Sequence, residues 1–279
     1  MSVYNLMMKR RSVRVFLDKV IPENIVEKLL DTANNAPSGG NIQPISIIIV
    51  RNTETRNKLY ELIPSQPWVK NAPLSMIFCL DFNRVKRWAE LSNVNFEGEK
   101  ALSHFLIAYA DVICAAQNVV ITAESFGLGS VYIGTIQAFI GKFREYFTIP
   151  KYVLPLMLLS IGYPESIPKS MPKLKRDIIV HNEKYDTLGD QDIIQAYYEK
   201  YGDFDEDVNK YLEKAYIEVL EAKKQQAGNW MELVKKRMKK LKIENHAQFL
   251  FKLRYPSKAM IKSNKLQIEE IINAGFDFF

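Results

Sequence analysis

The sequence predicts an α+β core carrying a helical C-terminal extension, with the change of character near residue 185. Two observations lead there. Up to Tyr185, segments with a helical period alternate with short apolar runs bounded by turn residues. Beyond Tyr185 the strand-like runs disappear and charge density rises, and what remains reads as helices. The expected division is 1–185 for the core and 186–279 for the extension, which has little apolar content from which to build a core of its own.

The elements follow in order. Glu23 to Ala33 puts Ile25, Val26, Leu29, Leu30 and Ala33 on one face, and Pro22 stands where a helix can start. Ser46 to Val50 reads as a β-rich strand, and Thr53 to Leu62 as a second helix. Leu74 to Phe82 is an apolar run between Pro73 and Asn83, hence a core strand. His104 to Phe126 is a long apolar helix that Gly127 ends in a left-handed turn. It carries Asp111, Gln117, Asn118 and Glu124, which are costly at membrane depth, so it reads as a helix buried in a globular protein rather than a span. Leu128 to Ile133 returns as a strand, Gln137 to Phe147 as a helix, and Leu154 to Ile161 as a buried strand ended by Gly162 and Pro164. Helices are then expected at Asp192 to Lys200, Val208 to Lys224 and Trp230 to Leu241. In the last, Trp230, Val234, Met238 and Leu241 form an apolar stripe.

Composition narrows the function classes. The chain has 279 residues, 47% of them hydrophobic and 25% charged, as in an ordinary globular protein. The N-terminal stretch lacks the apolar run of a secretion signal, so a cytoplasmic location is expected. Cys79 and Cys114 both sit in apolar runs and read as reduced, buried thiols. The formal net charge of +6 is shared by nucleic-acid binders and by enzymes that bind phosphorylated cofactors. No nucleic-acid-binding signature accompanies it, so no nucleic-acid partner is expected. His104, His181 and His246 lack metal-ligand spacing, and no metal is expected.

Four motifs bear on whether a cofactor is bound. In Lys9-Arg10-Arg11-Ser12-Val13-Arg14, an extended backbone would turn Arg10, Ser12 and Arg14 to one side. Guanidinium forks and a hydroxyl suit a phosphate, although a solvated basic terminus looks the same. In Ala36-Pro37-Ser38-Gly39-Gly40-Asn41-Ile42-Gln43-Pro44, adjacent glycines allow close approach to a flat ligand, although Pro, Ser, Gly and Asn are also ordinary loop residues. The glycines of Gly127-Leu128-Gly129-Ser130-Val131-Tyr132-Ile133-Gly134 do not match the dinucleotide fingerprint, so a Rossmann domain is unsupported. A fourth stretch, Ile161-Gly162-Tyr163-Pro164 with Lys169, Lys173, Lys175 and Arg176, is a cationic loop that suits a phosphate or plain solvent.

In this order the segments resemble the nitroreductase family, most closely its larger members, the oxygen-insensitive nitroreductases and flavin reductases with a C-terminal extension. The resemblance rests on Arg10 to Phe16, Pro37 to Pro44, and Ala123 to Gly129 with Tyr132-Ile133-Gly134. It implies a central mixed or antiparallel sheet flanked by helices, and a homodimer whose interface builds two FMN sites. It also implies that Arg10, Arg11 and Ser12 face the phosphate, and that Arg14 lies beside the flavin N1 and C2 carbonyl. Pro37, Ser38, Gly39, Gly40 and Asn41 would line the cofactor, and Gln66 would bond the pyrimidine edge. The backbone of Ile133 and Gly134 would lie near N5, and Lys173 near the phosphate. NADPH or NADH would give hydride to FMN, and a nitroaromatic, quinone or free flavin would then take two electrons. The flavin carries the chemistry, so no protein nucleophile is expected.

This chain departs from the family at Met171-Pro172-Lys173, where the family often carries Lys-Pro-Arg. Met171 has no charge and Lys173 no fork; Lys169 or Lys175 could compensate. The acidic run that ends Lys200 to Asp207 disfavours a 2′-phosphate, while Lys235 to Lys242 is basic, so the choice between NADPH and NADH stays open. Other readings are dehalogenation or enone reduction on the same fold, a basic nucleic-acid module, or a member that has lost activity. Trp88, Phe96 and His104 are candidate pocket liners.

Overall fold

The computed structural model describes residues 2–204 and 230–278. The expected helix from Val208 to Lys224 lies outside these residues. The chain divides into two compact units, one of residues 1–169 with 263–279, the other of 170–262. The sequence places a single boundary at 185, whereas the last residues of the chain belong to the first unit.

The first unit is a three-layer α+β fold on a four-stranded antiparallel sheet. Its strands are β1 (Ile45–Val50), β2 (Leu74–Asp81), β3 (Gly129–Ile133) and β4 (Val153–Gly162), in the order β1-β2-β4-β3. Its helices are α1 (Val3–Lys9), α2 (Glu23–Asn34), α3 (Thr53–Leu62), α4 (Trp68–Asn71), α5 (Phe82–Leu91), α6 (Leu102–Ser125) and α7 (Ile140–Tyr146). Strand alternation sorts the core into two layers. Met76, Phe78 and Leu80 join α2 and α6 on one face, and Ile77 and Cys79 join α3, α4 and α7 on the other. On β4 the register shifts opposite Phe78 and Cys79, where Met157 and Pro155 face them and Leu156 is the extra residue. The bulge moves core-facing residues from Leu154 and Leu156 to Leu159 and Ile161.

Several expectations are corrected in detail. Phe82 starts α5 instead of ending β2, because Asp81 caps the helix by accepting from the Arg84 N–H at 3.0 Å. The stretch from Gly134 to Phe139 is a 3₁₀ turn, and α7 starts only at Ile140. Gly127 has the expected left-handed φ of 71°. α6 is the one helix among the described residues long and apolar enough to cross a membrane. One of its faces packs under the sheet, but Leu106, Ile107 and Cys114 are exposed on the other. Cys79 is buried as expected, and burial, then the Asp81 charge, pushes its thiol up to about 12. Cys114 is not buried.

The C-terminal tail completes this unit. The Tyr152 N–H donates to the Ala274 carbonyl at 2.7 Å, and the Asp277 N–H to the Glu99 carbonyl at 3.2 Å. Phe276 is fully buried, with ring centroids 5.8 Å from Phe82 and 5.9 Å from Phe105. Phe96 packs edge-on to Phe82 and His104, so it serves the core, while Trp88 is exposed.

The second unit is helical. It contains α8 (Arg176–Ile179), α9 (Asp190–Tyr201) and α10 (Trp230–Lys240), then a π-helical stretch, Phe249–Arg254, and the start of α11 (Ser257–Asn273). Ile243 and Phe249 are its small core, packed by Val234, Met238 and Leu241 of the expected stripe.

Candidate functional site

The chain leaves α1 at Arg10 and runs extended beside β3. The Val13 N–H donates to the Ser130 carbonyl at 3.0 Å, and Ser12 bridges Ser130 in parallel. The segment is tied again where the Leu17 N–H donates to Tyr163 and the Glu165 N–H to Val15. Gly129 makes this closeness possible, since a Cβ there would lie 2.7 Å from Val13 Cβ. Val13 and Phe16 point into the core, and Arg10, Arg11, Ser12 and Arg14 are half-buried.

These side chains meet different neighbours. The Arg14 guanidinium lies over the Trp68 ring, 5.3 Å from its centroid. Arg11 Nη1 donates to the Met8 and Arg10 carbonyls at 3.0 and 2.8 Å. Burial raises the Tyr132 hydroxyl to about 12, against the opposing charge of Arg10. Burial likewise raises the Glu124 carboxyl, while Arg10 and Arg11 pull it down.

Gln66, just before α4, donates from Nε2 to Thr135 Oγ1 at 3.2 Å. Thr135 follows Gly134 at the end of β3. Gly134 is exposed, with nothing within 4 Å of where a Cβ would stand. Arg10, Ser12, Arg14, Gln66, Ile133 and Gly134 therefore surround one strand.

The loop from Pro37 to Asn41 is anchored elsewhere. The Gly39 N–H donates to both carboxylate oxygens of Asp111, each at 3.1 Å. A Cβ at Gly39 would lie 2.5 Å from Ile107 Cγ2, so only glycine lets the loop sit on α6. Ser38 Oγ accepts from the Gln43 N–H at 3.2 Å. Gly40, Asn41 and Gln43 have φ of 58°, 55° and 54°, a left-handed course unusual for the last two. Asp111 and Glu124 are on the same 24-residue helix. At ~1.5 Å per residue they stand about 20 Å apart along its axis, so one chain holds the loop near the middle of α6 and the arginines near its C-terminal end.

Lys173 is exposed and belongs to the second unit. Lys175, which could compensate for Met171, pairs with Glu199 at 2.7 Å. A groove of about 820 Å³ along β1 and α7, bordered by Ile48, Ile49 and Tyr146, includes none of the expected site residues.

Sequence reasoning missed Asp111, Trp68 and Thr135 as partners of the site. For Asp111 the signal was present, as a lone carboxylate inside an apolar helix. Burial raises its carboxyl above the ordinary value, opposed by the Gly39 N–H. The folded chain therefore holds that proton more tightly than the unfolded chain. Stability falls as pH rises from the ordinary aspartate range through the raised value. Asp111→Asn should remove this decline and keep an acceptor for Gly39. Asp111→Ala should remove it too, and cost ~1–3 kcal/mol by stranding the Gly39 donor. Urea unfolding at acid and alkaline pH checks both, and equal stability of the two variants would exclude the anchor.

The chain is similar to known proteins over most of its length. A family model described as the nitroreductase family matches residues 7–163. An FMN reductase [NAD(P)H] of Bacillus subtilis is 32% identical over 205 residues, 73% of this chain and 80% of that protein. An NADPH-dependent oxidoreductase of Staphylococcus saprophyticus is 30% identical over 90% of this chain and 98% of its own. The solved structure of NfrA2 from B. megaterium superposes with a TM-score of 0.76 at 26% identity, covering 100% of both chains.

Proposed function

The chain belongs to the nitroreductase family, and on that premise we propose that it is an FMN-dependent NAD(P)H oxidoreductase acting on nitroaromatics, quinones or free flavins. The observation that supports this most is the cluster around β3. There a cationic segment, an amide side chain and an open glycine turn lie side by side. The relatives' printed names, an FMN reductase and an NADPH-dependent oxidoreductase, support the cofactor and the donor.

The residues present fit an anionic, planar group. Arg10, Arg11 and Ser12 supply forks and a hydroxyl for a phosphate. Next to Ser12, Ser130 Oγ is buried without a hydrogen-bond partner. The open space at Gly134 leaves room for a ring against the backbone. When bound, FMN supplies the redox chemistry, taking hydride from the nicotinamide and passing two electrons to the acceptor. Arg14, held by Trp68, would stabilise negative charge on the reduced ring. Gln66 would hold the polar ring edge, and Ile133 and Gly134 would present backbone to the reacting face. Pro37, Ser38, Gly39 and Asn41 would cover the cofactor.

The placement of these parts supports a homodimer. The loop and the arginines stand about 20 Å apart along α6, so a two-fold partner would bring each loop to the other chain's arginines. The exposed faces suit such a contact: Leu106 and Ile107 on α6, and Tyr4, Met7 and Met8 on α1, are all more than half exposed. Leu106→Glu combined with Met7→Glu should give a monomer that no longer retains FMN. Sedimentation with flavin absorbance checks this, and an intact dimer would remove these faces from the interface. A cytoplasmic location belongs to the same reading, as does the region after the 1–185 core as a helical extension whose final residues return to that core.

The test of function is an absorbance spectrum of the purified protein, followed by anaerobic NADPH or NADH. The expected protein is yellow, bleaches with a reduced nicotinamide and recovers with a nitroaromatic or quinone. A colourless protein that takes up no added FMN would overturn the reading.

A further inference from the structure

We propose that Arg84 is the positioning residue of the loop from Ser38 to Gln43, gripping its backbone from α5 and so holding the shape that receives the flavin. This rests on the reading of that loop as part of the FMN site.

The loop has a shape that needs holding. Asn41 and Gln43 both sit at positive φ without being glycine. Such a course persists when the surroundings over-determine it. Asp111 holds the loop at Gly39 only. At the other end stands a network with no part in the chemistry described above.

That network begins with Asp81, which ends β2, caps α5 and is nearly buried. Its own N–H donates to the Pro44 carbonyl at 2.8 Å. Arg84, one turn along, reaches back over the start of β1. Its Nη2 donates to the Gln43 carbonyl at 2.7 Å and to the Ile45 carbonyl at 2.9 Å. Its Nη1 reaches Ser46 Oγ at 3.2 Å and Asp81 Oδ2 at 3.5 Å. Three successive carbonyls, of Gln43, Pro44 and Ile45, thus accept from Arg84 or Asp81. The shortest bond of Arg84 goes to the loop at Gln43, the next to the first residue of β1 and the longest to the carboxylate, so the ion pair orients the fork and the fork ties the loop to the strand. A planar guanidinium can meet both sides at once. A lysine ammonium carries the same charge on a flexible stem without that geometry. Arg87, on the same helix, pairs with Glu90 at the surface and provides a control.

The experiment compares wild type, Arg84→Ala, Arg84→Lys and Arg87→Ala as full chains. Two quantities are read. One is hydrogen–deuterium exchange of residues 38–45 in the apoprotein, which needs no cofactor. The other is the FMN dissociation constant from flavin fluorescence quenching. Loss of two charge-assisted hydrogen bonds predicts FMN binding weaker by about tenfold or more in Arg84→Ala. Exchange should quicken in the loop and stay as in wild type in α2 and α6. Arg84→Lys should behave like alanine in both readouts, and Arg87→Ala like wild type. Unchanged loop exchange, unchanged FMN affinity, or full rescue by lysine would each overturn the proposal. Should Arg84→Ala fail to fold, the lysine variant decides. A wild type that takes up no FMN would instead overturn the functional reading, and loop exchange alone would then decide whether Arg84 holds the loop.

Discussion

Gly129→Ala should weaken FMN binding by roughly ten- to a hundredfold while leaving the protein folded. The added methyl would stand 2.7 Å from Val13 Cβ, and Val13 is wedged in the core with no room to retreat. Relief must come from the backbone, by moving the Arg10 to Arg14 segment off β3. Overpacking of this kind costs ~1–3 kcal/mol. In the proposed site that segment carries the phosphate contacts and Arg14, so much of the cost should appear as lost affinity, at about 1.4 kcal/mol per factor of ten. Titration of the apoprotein with FMN, alongside urea unfolding, separates the two effects. An alanine variant with wild-type affinity would remove the N-terminal segment from the site.

The second large effect is on stability. Phe276→Ala should lower the unfolding free energy by ~3–5 kcal/mol, the usual loss when a buried aromatic is cut to a methyl. Phe276 lies between Phe82 and Phe105 and against Phe278, so its loss leaves a cavity within the aromatic cluster. Denaturant unfolding measures this, and a loss below about 1 kcal/mol would show the tail to be dispensable to the core. A chain shortened after Tyr185 lacks this residue as well. Its loss of flavin or partner would therefore report a broken core before it reported anything about the extension.

What could be read from sequence followed from periodicity and turn chemistry. α2 was legible because its apolar residues fall on one face, and β2 because a buried strand reads as an apolar run between turn residues. The antiparallel pairing came from resemblance alone, since alternation does not tell which strands meet. α1 went unseen because none of its seven residues is buried, so there was no core-facing stripe to find. α5 was hidden by Asp81, which ends a strand and caps a helix in the same residue. At the site, the arginines and glycines announced themselves by type. Their supports did not: Trp68 under Arg14, Thr135 under Gln66 and Asp111 under Gly39 are distant in sequence and ordinary in composition. The exposed side of α6 was misjudged for a related reason. A face that would pack against a second chain has the same composition as one buried within its own, and Cys114 sits on that face.

The closing tail sets an order of events during synthesis. Domains made early on the ribosome usually fold as they emerge. Here the first unit needs Ala274 and Phe276, which are translated after the whole second unit. Until Ala274 and Phe276 leave the exit tunnel, the aromatic layer around Phe82 and Phe105 stays open to water. The nascent chain must wait with most of its sheet made and one apolar slot unfilled.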